Sequence, residues 1–123
     1  MGQVNTVLVV DDADVVRTML VFMLEKAGYN ILSSADGAEA LEYFDGRDID
    51  LVITDLNMPE MNGDKLITEV RSKDYYKYIP IVLFIPEDNK DKQHFGSASG
   101  ASITFDKDNI KEKMIHTVKM LIG

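Results

Sequence analysis

The chain has 123 residues, with 21 acidic against 13 basic and a formal net charge of -8. That length fits one domain able to bury a sizeable core, and the acidic excess excludes an extended nucleic-acid surface or attraction to anionic membranes. With no cysteine there is neither a disulfide framework nor a thiolate metal site. No apolar run reaches membrane-spanning length and residues 1–5 lack signal-peptide character, so a single cytoplasmic domain over 1–123 is expected.

Residues 6–10 form a β-branched apolar run that ends on Asp11 and Asp12, as expected of a buried strand delivering carboxylates at its C-terminal end. Over 14–27 the apolar residues Val15, Val16, Met19, Leu20, Phe22, Met23 and Leu24 recur at helical spacing, and Gly28 supplies a stop. A second strand is expected over 30–34. Asp36 and Gly37 then make a turn, and a compact helix over 38–44 has Ala38, Leu41 and Phe44 on one face. The third strand, 50–54, leads into Asp55, after which Asn57, Pro59 and Gly63 interrupt regular structure. A helix over 64–71 carries Leu66, Ile67 and Val70, and a tyrosine-rich join over 74–79 leads to Pro80.

The run IVLFI over 81–85 is the most strand-like in the chain, and Pro86 stops it. Residues 87–99 are polar apart from Phe95 and contain Gly96, so a helix there is weak. A fifth strand over 101–105 and a closing helix over 109–121, with Ile110, Met114, Ile115, Val118, Met120 and Leu121, complete the pattern. Strands alternating with helices through short joins predict βαβ units with right-handed crossovers, hence an α/β fold with a parallel sheet covered on both faces.

In such a sheet every strand ends at the same edge, so Asp11, Asp12 and Asp55 are expected to meet there. Like charges at that separation repel unless a cation lies among them. Carboxylates with loop carbonyls and waters suit a hard divalent ion, Mg²⁺ or alternatively Mn²⁺, over zinc. Neither histidine lies at this edge, and His94 and His116 are expected on solvated helical segments. Lys107, just after the fifth strand, brings a further cation to the same rim. Together these groups outline a phosphoryl pocket in which Asp55 is a candidate carboxylate nucleophile.

The runs VLVVDD over 7–12 and DLNMP over 55–59, with Gly63, Gly100, Ala101 and Lys107 at these spacings, resemble the receiver domain of bacterial two-component response regulators across essentially the whole chain. The lack of an output domain makes the chain most similar to the stand-alone chemotaxis type. The resemblance implies a flavodoxin-like, doubly wound five-stranded parallel sheet of order 2-1-3-4-5 with five helices. It implies that Asp55 is phosphorylated by a histidine kinase or phosphotransfer protein. It further implies that Asp12, Asp55 and the backbone carbonyl of Asn57 hold Mg²⁺, with Asp11 helping through water, and that Lys107 contacts the phosphoryl oxygens. Asn57 and Glu87 fall at the positions that tune dephosphorylation. A downstream protein would be met through the fourth helix, fifth strand and fifth helix, with no direct nucleic-acid or membrane partner.

Three departures from that pattern share one region. Ile85 stands where the family has Thr or Ser, and isoleucine donates no hydrogen bond and is stiff at χ1. Thr104 stands where the switch aromatic is usual, and Phe105, one residue on, is expected to face the other side of the sheet. Asp108 replaces a proline after Lys107, which is expected to alter the loop path and the aim of that lysine. Asp108 also offers Lys107 a competing ion pair, and Pro86 stiffens the segment that would move.

The expected function is therefore a phosphorylatable receiver with atypical switch coupling that catalyses only its own phosphotransfer and dephosphorylation. The alternatives are a phosphorylation-independent interaction module and a small Mg²⁺-dependent phosphatase. The last lacks a general acid, because Asn57 occupies the place of a second carboxylate.

Overall fold

A computed structural model describes residues 4–85, 100–107 and 110–123. Five strands, β1 (Thr6–Val10), β2 (Asn30–Ser34), β3 (Leu51–Asp55), β4 (Ile81–Ile85) and β5 (Ile103–Asp106), pair in parallel in the order β2-β1-β3-β4-β5. Between them run the helices α1 (Asp14–Lys26), α2 (Gly37–Leu41) and α3 (Gly63–Arg71), with α4 (Ile110–Ile122) closing the chain. A 3-10 turn over Asp74–Tyr76 connects α3 to β4. The helix expected over 87–99, with Pro86, Glu87, His94 and Phe95, lies outside the described residues, as does Asp108. The predicted fifth helix is α4 here.

The period-two alternation of each central strand divides the core into two layers. Val7, Val9, Leu51, Ile53, Val82 and Phe84 pack against Leu20 and Leu24 of α1 and Ile110, Met114 and Val118 of α4. Leu8, Val10, Val52, Leu83 and Ile85 face the other way, onto Leu66, Ile67 and Val70 of α3 and onto Ala40 and Phe44. Every residue of β3 and β4 is buried, as parallel strands covered on both faces require.

Element ends follow capping chemistry. Asp36 accepts a hydrogen bond from the Glu39 N–H at 2.7 Å, so α2 starts at Gly37, one residue before the expected boundary. It ends at Leu41, although Phe44 still reaches the core, where its ring meets Tyr76 edge-on with centroids 4.8 Å apart. Asn62 caps α3 through the Lys65 N–H at 2.9 Å, which brings Gly63 into the helix. The fifth strand begins at Ile103, not residue 101, and the Ser102 N–H already donates to the Ile81 carbonyl at 2.8 Å. Arg71, which no sequence signal singled out, clasps this region from the end of α3. Its guanidinium donates to the carbonyls of Ile79 at 2.6 Å and Gly100 at 2.9 Å.

The loop after β3 folds back tightly on its own strand. Met61 N–H donates to the Pro59 carbonyl at 2.7 Å, and Glu60 at the turn's centre takes φ 68°, the γ-turn hand that is rare for a residue with a side chain. Gly63 N–H then donates to the Leu56 carbonyl at 2.7 Å. A Cβ on Gly63 would lie 2.3 Å from the Asp55 carbonyl oxygen and 3.0 Å from Leu56 Cα, so only glycine permits this approach. Gly63→Ala is accordingly expected to destabilise the fold by about 2–3 kcal/mol and to displace Asp55. Chemical denaturation together with the Asp55 amide resonance checks this, and an unchanged midpoint would show that the loop has slack.

Candidate functional site

Asp55 is the last residue of β3, and Asp11 and Asp12 directly follow the end of β1, its neighbour in the sheet. Strand order reverses at this pair, since β1 leads outward to β2 on one side while β3 leads to β4 and β5 on the other. Such a reversal opens a crevice beyond the strand ends, where ligands of open α/β sheets bind. Carboxylate oxygens from Asp11, Asp12 and Asp55 lie within 4.8 Å of one another there.

The surroundings of the three differ. Asp11 is fully buried and Asp55 nearly so, at 0% and 2% exposure, while Asp12 is exposed. Asp11 Oδ1 accepts the Ala13 N–H at 2.9 Å. Its own carbonyl accepts from Arg17 Nη1 at 2.7 Å, and the same guanidinium pairs with Asp14. Arg17 therefore fixes the turn that presents Asp11 and Asp12. Its i, i+3 spacing from Asp14 was the available signal for it.

Lys107 reaches across from the end of β5. Its Nζ lies 3.1 Å from Asp55 Oδ2, a hydrogen-bonded ion pair, and 3.6 Å from Asp11 Oδ2. The expected re-aiming of this lysine is not observed, because the last residue of β5 already pairs in register with Ile85 of β4 and delivers Lys107 to the rim. Asn57 is exposed in the loop after Asp55. Ile85 is fully buried among the side chains facing α3. Thr104, two positions below the top of that side of the sheet, is paired with Leu83 and shares the Ile85 face. Phe105 points the other way, as its sequence offset predicts, and stacks on Phe84 with centroids 5.3 Å apart and planes 12° from parallel. His116 is exposed on α4.

Burial dominates the electrostatics. Desolvation raises the pKa of Asp55 above the ordinary 3.8, and the hydrogen bond from Lys107 only partly opposes it. Asp11 is raised likewise, first by desolvation, with the Ala13 N–H opposing and the Asp55 charge adding to the rise. Desolvation pulls Lys107 down, but its hydrogen bond to Asp55 and the nearby charges of Asp55 and Asp11 outweigh this and raise it overall. Asp11 Oδ2 and Asp55 Oδ1 are buried with no hydrogen-bond partner. Two ligands on opposite sides of a Mg²⁺ ion stand about 4.2 Å apart, given Mg–O bonds of about 2.1 Å. The triad is thus near ligand spacing, and its unpartnered hard oxygens fit that ion.

An acid whose folded pKa is raised weakens the fold once it ionises. Above the ordinary value of 3.8 the unfolded chain releases its protons first, so the contribution of Asp11 and Asp55 falls as pH rises through their folded pKa values and stays low at neutral pH. In chelator at pH 7, Asp55→Asn is expected to stabilise the protein by about 1–2 kcal/mol, a rise of several degrees in Tm. Magnesium should raise the wild-type Tm and narrow that gap. A variant less stable than wild type in chelator would mean that the Lys107 pair outweighs desolvation.

The model of the response regulator receiver domain family matches residues 7–119. Chemotaxis protein CheY1 of Helicobacter pylori is 42% identical over 85 residues, 68% of each chain. The CAI-1 autoinducer sensor kinase/phosphatase CqsS of Vibrio cholerae is 38% identical over 77 residues, which cover 62% of this chain and 11% of that much longer protein. Among solved structures, chemotaxis response regulator CheY4 of Vibrio cholerae superposes with a TM-score of 0.89 at 33% identity, covering 98% of this chain and 100% of that one. Response regulator TrrA of Thermotoga maritima, in complex with Mg(2+)-BeF, superposes with a TM-score of 0.83 at 30% identity, covering 96% and 99%. The paired acids after β1, the acid ending β3, the lysine after β5 and a family model spanning nearly the whole chain lead to one assignment: the protein belongs to the response regulator receiver domains of two-component systems, with a chemotaxis-regulator-like fold.

Proposed function

We propose that this receiver accepts a phosphoryl group on Asp55 from a histidine kinase or phosphotransfer protein in the cytoplasm, and signals through a protein partner with atypical internal coupling. The observation that carries this is the arrangement at Asp55, a buried carboxylate with one oxygen held by Lys107 at 3.1 Å and the other without a hydrogen-bond partner.

Asp11, Asp12 and Asp55, with the Asn57 carbonyl, would hold Mg²⁺, which when bound supplies positive charge to the phosphoryl oxygens and lets the carboxylates coexist. An Asp55 carboxylate oxygen attacks phosphorus as the P–N bond to the donor imidazole breaks. The bond's electron pair leaves with that ring, which departs neutral because its other nitrogen carries a proton. Lys107 shifts its hydrogen bond from the carboxylate to a phosphoryl oxygen, keeping the anion partnered as charge moves off Asp55. Water attack on the acyl phosphate later returns the carboxylate and inorganic phosphate. Exposed Asn57, and Glu87 beyond the described residues, are the positions that set this rate. Asn57 stands where a second carboxylate would serve as general acid, which favours chemistry confined to the protein's own modification.

Coupling to the output surface is where this chain differs. Ile85 sits buried beside the site with no hydroxyl to follow a phosphoryl oxygen, and Phe105 is held in a stack on the opposite face of the sheet. A ligand that meets no element with two arrangements shifts no population. The same burial of Ile85 favours a second reading, an interaction module whose binding ignores phosphorylation.

Three measurements separate these readings. With Mg²⁺ and acetyl phosphate, intact-mass spectrometry should show one added phosphoryl group, lost in Asp55→Asn and in chelator; no modification of the wild type would remove the phosphoacceptor reading. With Mg²⁺ and beryllofluoride, amide shifts in the wild type should stay near the β1 and β3 ends. Ile85→Thr should extend them to β5 and α4. Wild-type shifts already reaching α4 would contradict weak coupling, and a partner whose affinity is identical for wild type and Asp55→Asn under phosphorylating conditions would establish the second reading.

A further inference from the structure

At the end of the sheet opposite Asp55, a cavity of about 340 Å³ lies between the segment entering β3 and the 3-10 turn before β4. Its walls include Asp48, Asp50, Asp74, Tyr75, Tyr78 and Pro80. Among the described residues no basic side chain forms a salt bridge with any of these three acids. Tyr75 and Tyr78 are 64% and 86% exposed at this pocket, so both side chains are open to a partner.

The pocket is built from fixed parts. Tyr75 donates from its hydroxyl to Asp48 Oδ1 at 2.8 Å, and its ring meets buried Tyr76 edge-on at 5.0 Å. Tyr76 in turn donates to the Arg47 carbonyl at 2.7 Å and accepts the Gly46 N–H at 2.9 Å, tying the turn to the chain that leads into β3. Asp50 is anchored by the Thr6 N–H on its Oδ2 at 2.8 Å. Tyr78 already attracts a cation within the molecule, with Lys77 Nζ 5.7 Å from its ring centre.

We propose that this pocket docks an arginine side chain presented by a protein partner. Carboxylates and exposed tyrosines lining one pocket suit a planar guanidinium, which can stack on a ring while donating several hydrogen bonds at once. Lysine, a compact and strongly hydrated charge, gains less from the same surface. The overall charge of -8 favours a basic partner segment from a distance. Because the pocket lies at the N-terminal edge of the strands, docking here leaves the phosphoacceptor edge open and does not depend on its chemistry.

The test is an amide-shift titration of the intact protein with the peptide Ac-Gly-Arg-Gly-NH2, against the same peptide carrying neutral citrulline. Saturable shifts are expected at Asp48, Asp74, Tyr75 and Tyr78 with the arginine peptide only, with a lysine peptide binding more weakly. Asp48→Asn combined with Asp74→Asn should weaken binding about tenfold, as should Tyr78→Ala. All three positions are exposed, so folding is preserved. Lys77→Gln, which removes the internal competitor, should tighten it. Equal response to citrulline, shifts scattered over all acidic surfaces, or unchanged affinity in both the double variant and Tyr78→Ala would each overturn the proposal.

Discussion

Two aspartates, Asp11 and Asp55, are buried side by side at the ends of adjacent strands, and the rest of the active edge is arranged around that unfavourable fact. Removing a carboxylate from water is expensive, and a second one nearby makes it more so. The fold offsets part of this with Lys107, which approaches from β5 and bonds Asp55 directly. It leaves the remainder for a cation, as the unpartnered oxygens on both acids indicate. A site that is electrostatically incomplete by itself is suited to a divalent cation, which would supply the positive charge that its three carboxylates lack.

Holding that arrangement requires rigid supports close by. Arg17 pins the turn after β1 through the Asp11 carbonyl, and the loop after β3 is folded so closely that Gly63 touches the Asp55 backbone. Below them, fully buried β3 and β4 give little freedom. The acids are therefore presented by strands whose positions are set by two packed layers, which is how a few side chains keep a fixed mutual geometry.

The same rigidity bears on signalling. In Ile85 the fourth strand ends on a hydrophobic side chain that belongs wholly to the core. Phe105 is committed to the layer formed by α1 and α4. Ile85, fully buried, stabilises the resting arrangement by roughly 1.5–3 kcal/mol, partly buried Phe105 adds less, and neither presents a polar group that a phosphoryl oxygen would draw. On the function proposed above, communication with partners would fall to surfaces away from the Asp55 edge, among them the acidic, tyrosine-walled pocket at the far end of the sheet.

Much of this was legible in the order of residues. Alternation of apolar runs with helical spacings specified five parallel strands, and the acids after the first and third runs had to share an edge once the sheet was parallel. Family spacing supplied the strand order, and the one-residue offset of Phe105 foretold its orientation, because a strand's faces alternate strictly. Exact element ends were less legible, since α2 starts where the Asp36 side chain caps it and β5 where pairing with β4 begins. Only tertiary structure decided that Lys107 reaches Asp55 despite an altered neighbour, that Arg71 joins α3 to the approach of β5, and that tyrosines and aspartates from distant segments enclose one pocket. Those outcomes depend on side-chain reach across strands and loops. Local pattern encodes which face a residue occupies, but not the distance to a group that the chain returns from elsewhere.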